Sequence, residues 1–243
     1  MVSIIIPANR LEKRRNPRFF YKKKFGLAAT VDSIVENVSI DHELIVVINN
    51  IRDPELVHFV ETHSSISKYV LCSANAGVAR AWNIGANIAE GQQLCFCNDD
   101  VEVGKGAVET LVSVLDSRES VGQVGPAGGL WEGVQSGKRV GTTEIEEADE
   151  ISGFLFVIKA RVYEEVGGFD NEYTPAGFEE IDMSFKIRGK GYQCLVVPNV
   201  DVTHWGHHGI SSTRTRIEYL GKSIDTVELN ERNKAYFLKK WLP

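Results

Sequence analysis

Two adjacent aspartates, Asp99 and Asp100, follow a short apolar run from Leu94 to Cys97. The run is β-compatible, Asn98 breaks it, and a helical period resumes from Lys105, so the pair reads as the polar end of a buried strand. In open α/β sheets, ligands sit just beyond the carboxyl ends of strands. Two carboxylates there suit a hard divalent cation that holds a phosphorylated substrate, because such sites use one or two carboxylates plus the substrate's own phosphates. A turn with a helix-capping aspartate gives the same pattern, so the stretch from Cys95 to Val101 leaves both readings open. A second acidic group, Glu179, Glu180 and Asp182, opens a predicted helix after the turn-forming Pro175 and Gly177. Acids gather at helix N-termini to offset the dipole, typically for about 0.3–1 kcal/mol apiece. At about 100° per residue, Glu179 and Asp182 share a face while Glu180 and Asp182 point nearly oppositely. One regular helix therefore cannot aim Glu180 and Asp182 at the same group.

The elements that must position these acids alternate in type. Val2 to Ile6 is a continuous β-branched run, as expected of a strand covered on both faces. A helical period runs through Leu27, Val31, Ile34, Val35 and Val38, and a second strand from Leu44 to Ile48. Pro54 opens a helix as its first residue, and Tyr69 to Cys72 makes a third strand. Val78, Ala81, Trp82, Gly85, Ala86 and Ala89 form one helical stripe before the strand at 93–97. A helix through Val108, Leu111, Val112 and Leu115 completes the alternation, which predicts an α/β, Rossmann-like domain with a mainly parallel central sheet flanked by helices. Polar residues end each strand: Asn9 and Arg10, Asn49 and Asn50, Asn75, then Asn98 to Asp100. In a parallel sheet these ends converge on one edge. Beyond Val121 the chain is glycine-rich, and the acidic stretch from Glu144 to Glu150 is expected to be a solvated loop. Strands are expected at Phe154 to Ile158 and Cys194 to Val197, a helix over 179–188, and helical structure from Arg214 onward.

Composition narrows the partners. The net charge of −6 gives no general affinity for nucleic acid, and 43% hydrophobic with 25% charged residues is ordinary for a soluble globular chain. No apolar run approaches the ~20 residues needed to span a bilayer. Cys72, Cys95, Cys97 and Cys194 lie in or beside strand-like segments without Cys-x-x-Cys spacing, which predicts free thiols in a cytoplasmic protein. A basic segment at 10–24 interleaves Phe19, Phe20 and Tyr21 with eight cationic side chains, read either as a solvated loop or as a contact for an anionic partner. There is no Walker-type phosphate loop, since Arg216 stands where Gly221, Lys222 and Ser223 would need a glycine. Nor is there a G-x-G-x-x-G or a G-x-S-x-G motif.

Taken in order, several stretches resemble the family 2 glycosyltransferases, inverting enzymes of the GT-A fold. Val2 to Pro7 is similar to their opening strand and Val46 to Asn50 to their second. The run from Asn75 and Gly77 through Asn83 and Gly85 resembles their Asn-x-Gly pairs, and Asn98 to Val101 stands at their Asp-x-Asp. Val166 to Asp170 matches their Gly-Gly-Phe-Asp turn, Phe178 to Met183 their Glu-Asp-x-Asp, and Val202 to His204 their late histidine. The resemblance covers roughly residues 2–212 and, within the family, looks most like rhamnosyltransferase-type polysaccharide enzymes.

The resemblance implies a single glycosyltransferase domain over 1–243. Its nucleotide-sugar-binding half is 1–120, its acceptor and catalytic half 121–212, and its helical tail 213–243. It implies Mn²⁺ or Mg²⁺ held by Asp100, Asp99 and His204, and a donor contacted by Pro7, Asn9, Arg10, Asn49, Asn50, Asn75, Gly77, Asn83 and Asp99. Glu180 stands at the position of the general base, with Glu179 and Asp182 in support. The partners are then a nucleotide-sugar donor and a glycan or lipid-linked acceptor; read from its own charges, the basic segment 10–24 would meet either an acceptor's lipid diphosphate or a membrane surface peripherally. Three departures stand out: Asn49 and Asn98 replace aspartates, and Glu180 replaces the usual catalytic aspartate. A non-catalytic nucleotide- or glycan-binding protein on the same fold and a nucleotidyltransferase are the alternatives.

Overall fold

The β-branched run at the amino terminus forms β1 (Val2–Ala8), buried along its whole length. The computed structural model describes residues 1–11, 26–133, 135–205 and 215–242. The first half alternates as expected: α1 (Leu27–Asn37), β2 (His42–Ile48), α2 (Pro54–Thr62), β3 (Lys68–Leu71), α3 (Val78–Asn87) and β4 (Gln93–Cys97). Then follow a short β5 (Val101–Val103), α4 (Ala107–Asp116), β6 (Val121–Gly125), β7 (Gly128–Glu132), β8 (Gln135–Arg139), β9 (Glu146–Glu147), β10 (Glu150–Ile151) and β11 (Leu155–Lys159). The remainder is α5 (Ala160–Glu165), α6 (Glu179–Gly189), β12 (Gln193–Val196), β13 (Val202–His204), β14 (Arg216–Tyr219), β15 (Lys222–Asp225) and α7 (Thr226–Trp241).

The main sheet has eight strands in the order β3-β2-β1-β4-β11-β6-β12-β9. β1 pairs in parallel with β2 and β4, and β2 with β3, so the polar ends of these strands meet at one edge as the alternation requires. β11 runs antiparallel to both β4 and β6, which reverses one central strand of an otherwise mainly parallel sheet. Each sheet face is covered. On one, Ile4, Ile6, Val31, Ile34, Val46, Val108 and Leu111 pack together. On the other, Ile5, Trp82, Phe96, Phe156, Met183 and Ile187 do so. Each such fully buried side chain contributes ~1.5–3 kcal/mol relative to exposure. Local signals explain the helix starts: Asp53 accepts from the Leu56 backbone N–H at 3.1 Å ahead of Pro54, and Asp225 accepts from that of Val227 at 2.8 Å.

Two expectations change. The acidic stretch is not simply a loop, because Glu146 and Glu147 pair with β12 and Glu150 and Ile151 with β7. The tail is not wholly helical, since an antiparallel hairpin of β14 and β15 precedes α7. Cys95, Cys97 and Cys194 are buried free thiols and Cys72 is half-buried. Most of the basic segment lies outside the described residues. Among the described residues, no helix is long and apolar enough to cross a membrane.

Candidate active site

Backbone pairing brings the strand ends together. The Asn49 N–H donates to the Ala8 carbonyl at 2.7 Å, and the Asn50 amide donates to the Asn9 carbonyl at 3.2 Å. The Asn9 N–H in turn points at the Asp99 carboxylate, at 3.5 Å. Asp99 and Asp100 are both buried, at 7% and 6% exposure, directly after β4. Arg10 is exposed and Pro7 is buried within β1.

β5, which the sequence did not reveal, brings His204 to the aspartates. It pairs antiparallel with β13, placing His204 opposite Val101, and the Trp205 N–H donates to the Asp100 carbonyl at 3.0 Å. His204 Nε2 consequently lies 3.3 Å from Asp100 Oδ1. The imidazole stacks on the Phe154 ring, centroids 4.9 Å apart and planes 10° from parallel. Asp100 and His204, more than a hundred residues apart in sequence, thus form a carboxylate–imidazole pair with a fixed ring orientation. Among the described residues, no three His, Cys, Asp or Glu side chains converge as a closed metal cage. Two protein donors, with a third carboxylate adjacent, nevertheless fit a cation whose remaining positions go to phosphate oxygens and water.

The acid side is built on the same short segment that supports His204. The Asn98 N–H donates to the Phe154 carbonyl at 2.9 Å, which ties β4 to the start of β11. The residue before, Gly153, lies under Glu180: a Cβ at 153 would sit 2.9 Å from the Glu180 Cγ, so a glycine is what lets this side chain lie there. Segment 153–154 therefore carries the acid on one residue and the imidazole on the next. Glu180 is half-buried, and burial pushes its carboxyl up to about 7, with the charge of Glu150 adding to the rise. Glu179 is 4% exposed. Burial, then the neighbouring Glu180 charge, hold its carboxyl well above the usual range. Its Oε2 has no hydrogen-bond partner among the described residues.

Asp182 faces away from Glu180. Its carboxylate is fully buried and accepts from the Tyr173 hydroxyl at 3.1 Å, the Trp241 indole N–H at 2.7 Å and the Lys240 ammonium at 3.0 Å. It anchors α7 to α6. Asn83 is likewise engaged within the fold. Its Oδ1 accepts from the Phe169 N–H at 2.9 Å and the Tyr163 hydroxyl at 2.5 Å, while its amide donates to the Phe169 carbonyl at 2.9 Å. That side chain braces the Gly167–Gly168–Phe169 turn.

Asn49 and Asn75 organise the loop before α3. Asn49 accepts from the Ala76 N–H at 3.2 Å and donates to the Gly77 carbonyl at 3.3 Å. Asn75 accepts from the Gly77 N–H at 2.9 Å and donates to the Glu218 carbonyl at 3.0 Å. Gly77 has φ +85°, and a Cβ there would lie 2.7 Å from the Pro175 carbonyl oxygen, so this position needs glycine twice over. The Val78 N–H, at the start of α3, donates to that same carbonyl at 2.8 Å, joining the asparagine loop to the loop ahead of Glu179.

A model of glycosyl transferase family 2 matches residues 20–159, more than half of the chain. The chain belongs to glycosyl transferase family 2. Among curated proteins, this family 2 chain is 25% identical over 219 residues to "Inactive polypeptide N-acetylgalactosaminyltransferase-like protein 5" of Macaca fascicularis, covering 76% of this chain and 49% of that protein. Its fold is GT-A. The structure of GalNAc-T7 with UDP, GalNAc and Mn²⁺ superposes with a TM-score of 0.67 at 20% identity, over 84% of this chain and 43% of that one. The mannosyltransferase PcManGT of Pyrobaculum calidifontis, with GDP-Man and Mn²⁺, gives a TM-score of 0.60 at 18% identity, over 82% and 55%. S. aureus TarS gives 0.60 at 14% identity, over 82% and 58%. The chain thus spans about half the length of these relatives.

Phe154, Gly153 and Glu150 were not singled out from sequence. The only signal was a glycine immediately before the apolar run 154–158.

Proposed function

We propose that this family 2 domain is a metal-dependent inverting glycosyltransferase, moving a sugar from a nucleoside-diphosphate donor to a hydroxyl of a glycan or glycolipid. The observation that carries this reading is the pairing of sites on one segment: Phe154 supports His204 beside Asp100, and Gly153 carries Glu180. Asp100 and His204, with Asp99, would hold Mn²⁺ or Mg²⁺, which when bound neutralises charge on the leaving diphosphate. Glu180, as carboxylate, takes the proton of the acceptor hydroxyl. The acceptor oxygen bonds to the anomeric carbon from the face opposite the diphosphate, the carbon–oxygen bond to the diphosphate breaks, and the nucleoside diphosphate leaves with inversion. A base whose carboxyl sits at about 7 is matched to neutral pH, able both to accept a proton and to be ionised in part. Asn49, Asn75 and Gly77 shape the donor side, and Asn9 and Asn50 its floor.

Within the family, polysaccharide or glycolipid assembly with a hexosyl or deoxyhexosyl donor is our reading of the substrate class. Peripheral contact with an anionic surface through segment 10–24 accompanies it. The non-catalytic alternative draws support from the inactive N-acetylgalactosaminyltransferase-like relative. A thermal-shift screen of nucleotide sugars with and without Mn²⁺ tests the reading, since a ligand at a hundredfold its Kd stabilises by about 2.7 kcal/mol. A metal-dependent shift with one nucleoside class supports it. No shift with any nucleotide sugar in the presence of metal counts against it.

A further inference from the structure

The loop that delivers Glu180 is held almost entirely by side chains of α7. Asn233 is buried at 1% exposure, and the two protons of its amide nitrogen are shared among three main-chain carbonyls: Tyr173 at 3.1 Å, Ala176 at 3.0 Å and Gly177 at 2.7 Å. The Arg232 guanidinium donates to the Thr174 carbonyl at 2.5 Å and fixes the Asn233 Oδ1 from Nε at 3.0 Å and Nη2 at 2.8 Å. The remaining carbonyl of the segment, Pro175, is taken by the Val78 N–H. Every carbonyl from 173 to 177 is thereby engaged from outside the segment. At its end, Gly177 (φ +92°) and then Phe178 (φ +78°) turn the chain through left-handed conformations into Glu179 and Glu180. Such conformations in a bulky residue persist only when the surroundings impose them.

We propose that Asn233 is a positioning residue for the Glu180 carboxylate, and that α7 acts through it as a clamp on the loop that aims the base. The proposal rests on the reading of Glu180 as base. α7 itself is anchored independently. Lys240 reaches Asp170 at 2.8 Å, Trp241 reaches Asp182, and Phe237 packs on Phe185 and Trp131. Removing the Asn233 amide therefore leaves the helix seated but frees the carbonyls of 173, 176 and 177. Buried carbonyls without partners seek others, and the loop shifts. A displacement of about 1 Å at reacting groups costs on the order of 100-fold in rate.

Three variants decide it: Asn233→Leu, close in size but without donors; Arg232→Met, at an exposed position; and Trp241→Phe, which removes one hydrogen bond at the far end of α7. Each is measured for transfer kinetics with Mn²⁺, for nucleoside-diphosphate affinity by calorimetry, and for hydrogen exchange in peptides covering 173–182. Asn233→Leu is expected to lower kcat by ~10–100-fold, with nucleotide affinity changing far less and exchange over 173–182 accelerating. Trp241→Phe should keep kcat. Should Asn233→Leu fail to fold, Arg232→Met is expected to show the same pattern more weakly. Unchanged kcat in whichever of these two variants folds overturns the proposal, as does a parallel fall of kcat and nucleotide affinity. If the wild-type protein turns over no donor, the proposed function has failed instead. The exchange data then judge the clamp alone, and equal exchange in Asn233→Leu and wild type rejects it.

Discussion

Glu180→Gln separates chemistry from folding because it removes one charge at nearly constant shape. The folded carboxyl binds its proton up to about 7, whereas an ordinary glutamate titrates near 4.5. The folded state is therefore favoured by protonation of this residue. Its contribution is full below about pH 4.5 and is lost as pH rises to about 7, where the buried group must ionise. At 1.36 kcal/mol for each pH unit, the ionised side chain costs up to about 3 kcal/mol above pH 7. Glutamine never incurs that cost. Glu180→Gln should thus be more stable than wild type at pH 8 and indistinguishable from it at pH 4.5, apart from small packing differences. For a chain of this size ~1 kcal/mol corresponds to ~2–4 °C in Tm, so a rise of several degrees at pH 8 is expected. Rate moves the other way: loss of a general base typically costs about 10²–10⁴-fold. Wild-type kcat/KM should fall as pH drops below about 7 as the base protonates. Differential scanning fluorimetry across pH, with transfer rates on the same samples, reads both effects. Near-normal transfer by a folded Glu180→Gln, or a Tm difference that does not depend on pH, refutes the assignment.

Other expectations follow from individual contacts. Asp100→Ala should weaken the cation dependence of nucleoside-diphosphate binding more than Asp99→Ala, because Asp100 faces His204; titration calorimetry with and without chelator checks this. Gly77→Ala forces a Cβ against the Pro175 carbonyl at positive φ. It should cost more than ~1 kcal/mol in denaturant unfolding and weaken donor binding. Asp182→Asn should act on stability, because the buried carboxylate that accepts from Tyr173, Trp241 and Lys240 loses its charge while Lys240 keeps Asp170, costing on the order of 1–3 kcal/mol, with kcat per folded molecule largely retained.

How far the sequence speaks depends on the range of the contact. The strand–helix alternation, the helix starting at Pro54 and the convergence of Asn9, Asn49 and Asp99 were legible because periodicity and parallel pairing are local or nearly so. The acidic cluster at 179–182 was legible as a group, and helical geometry already set Asp182 apart from Glu180. What occupied Asp182 was not legible, since its donors Lys240 and Trp241 lie some sixty residues away. The same holds for Asn83, whose place in an asparagine–glycine run gave no sign that its amide braces a turn at 169. β5 was too short for a period to register, although its pairing with β13 is what sets His204 beside Asp100. The hairpin before α7 was read as helix because charged residues such as Arg216, Glu218 and Lys222 suit either form on a solvated surface.

The most direct test is a product assay on wild-type protein with Mn²⁺, a panel of nucleotide sugars and acceptor glycans, following nucleotide release and the anomeric configuration of the product. Metal-dependent release of nucleoside diphosphate, with an inverted glycosidic linkage and loss of both in Glu180→Gln, is the predicted result. Release of pyrophosphate, retention of configuration, or nucleotide binding with no turnover of any donor would contradict it.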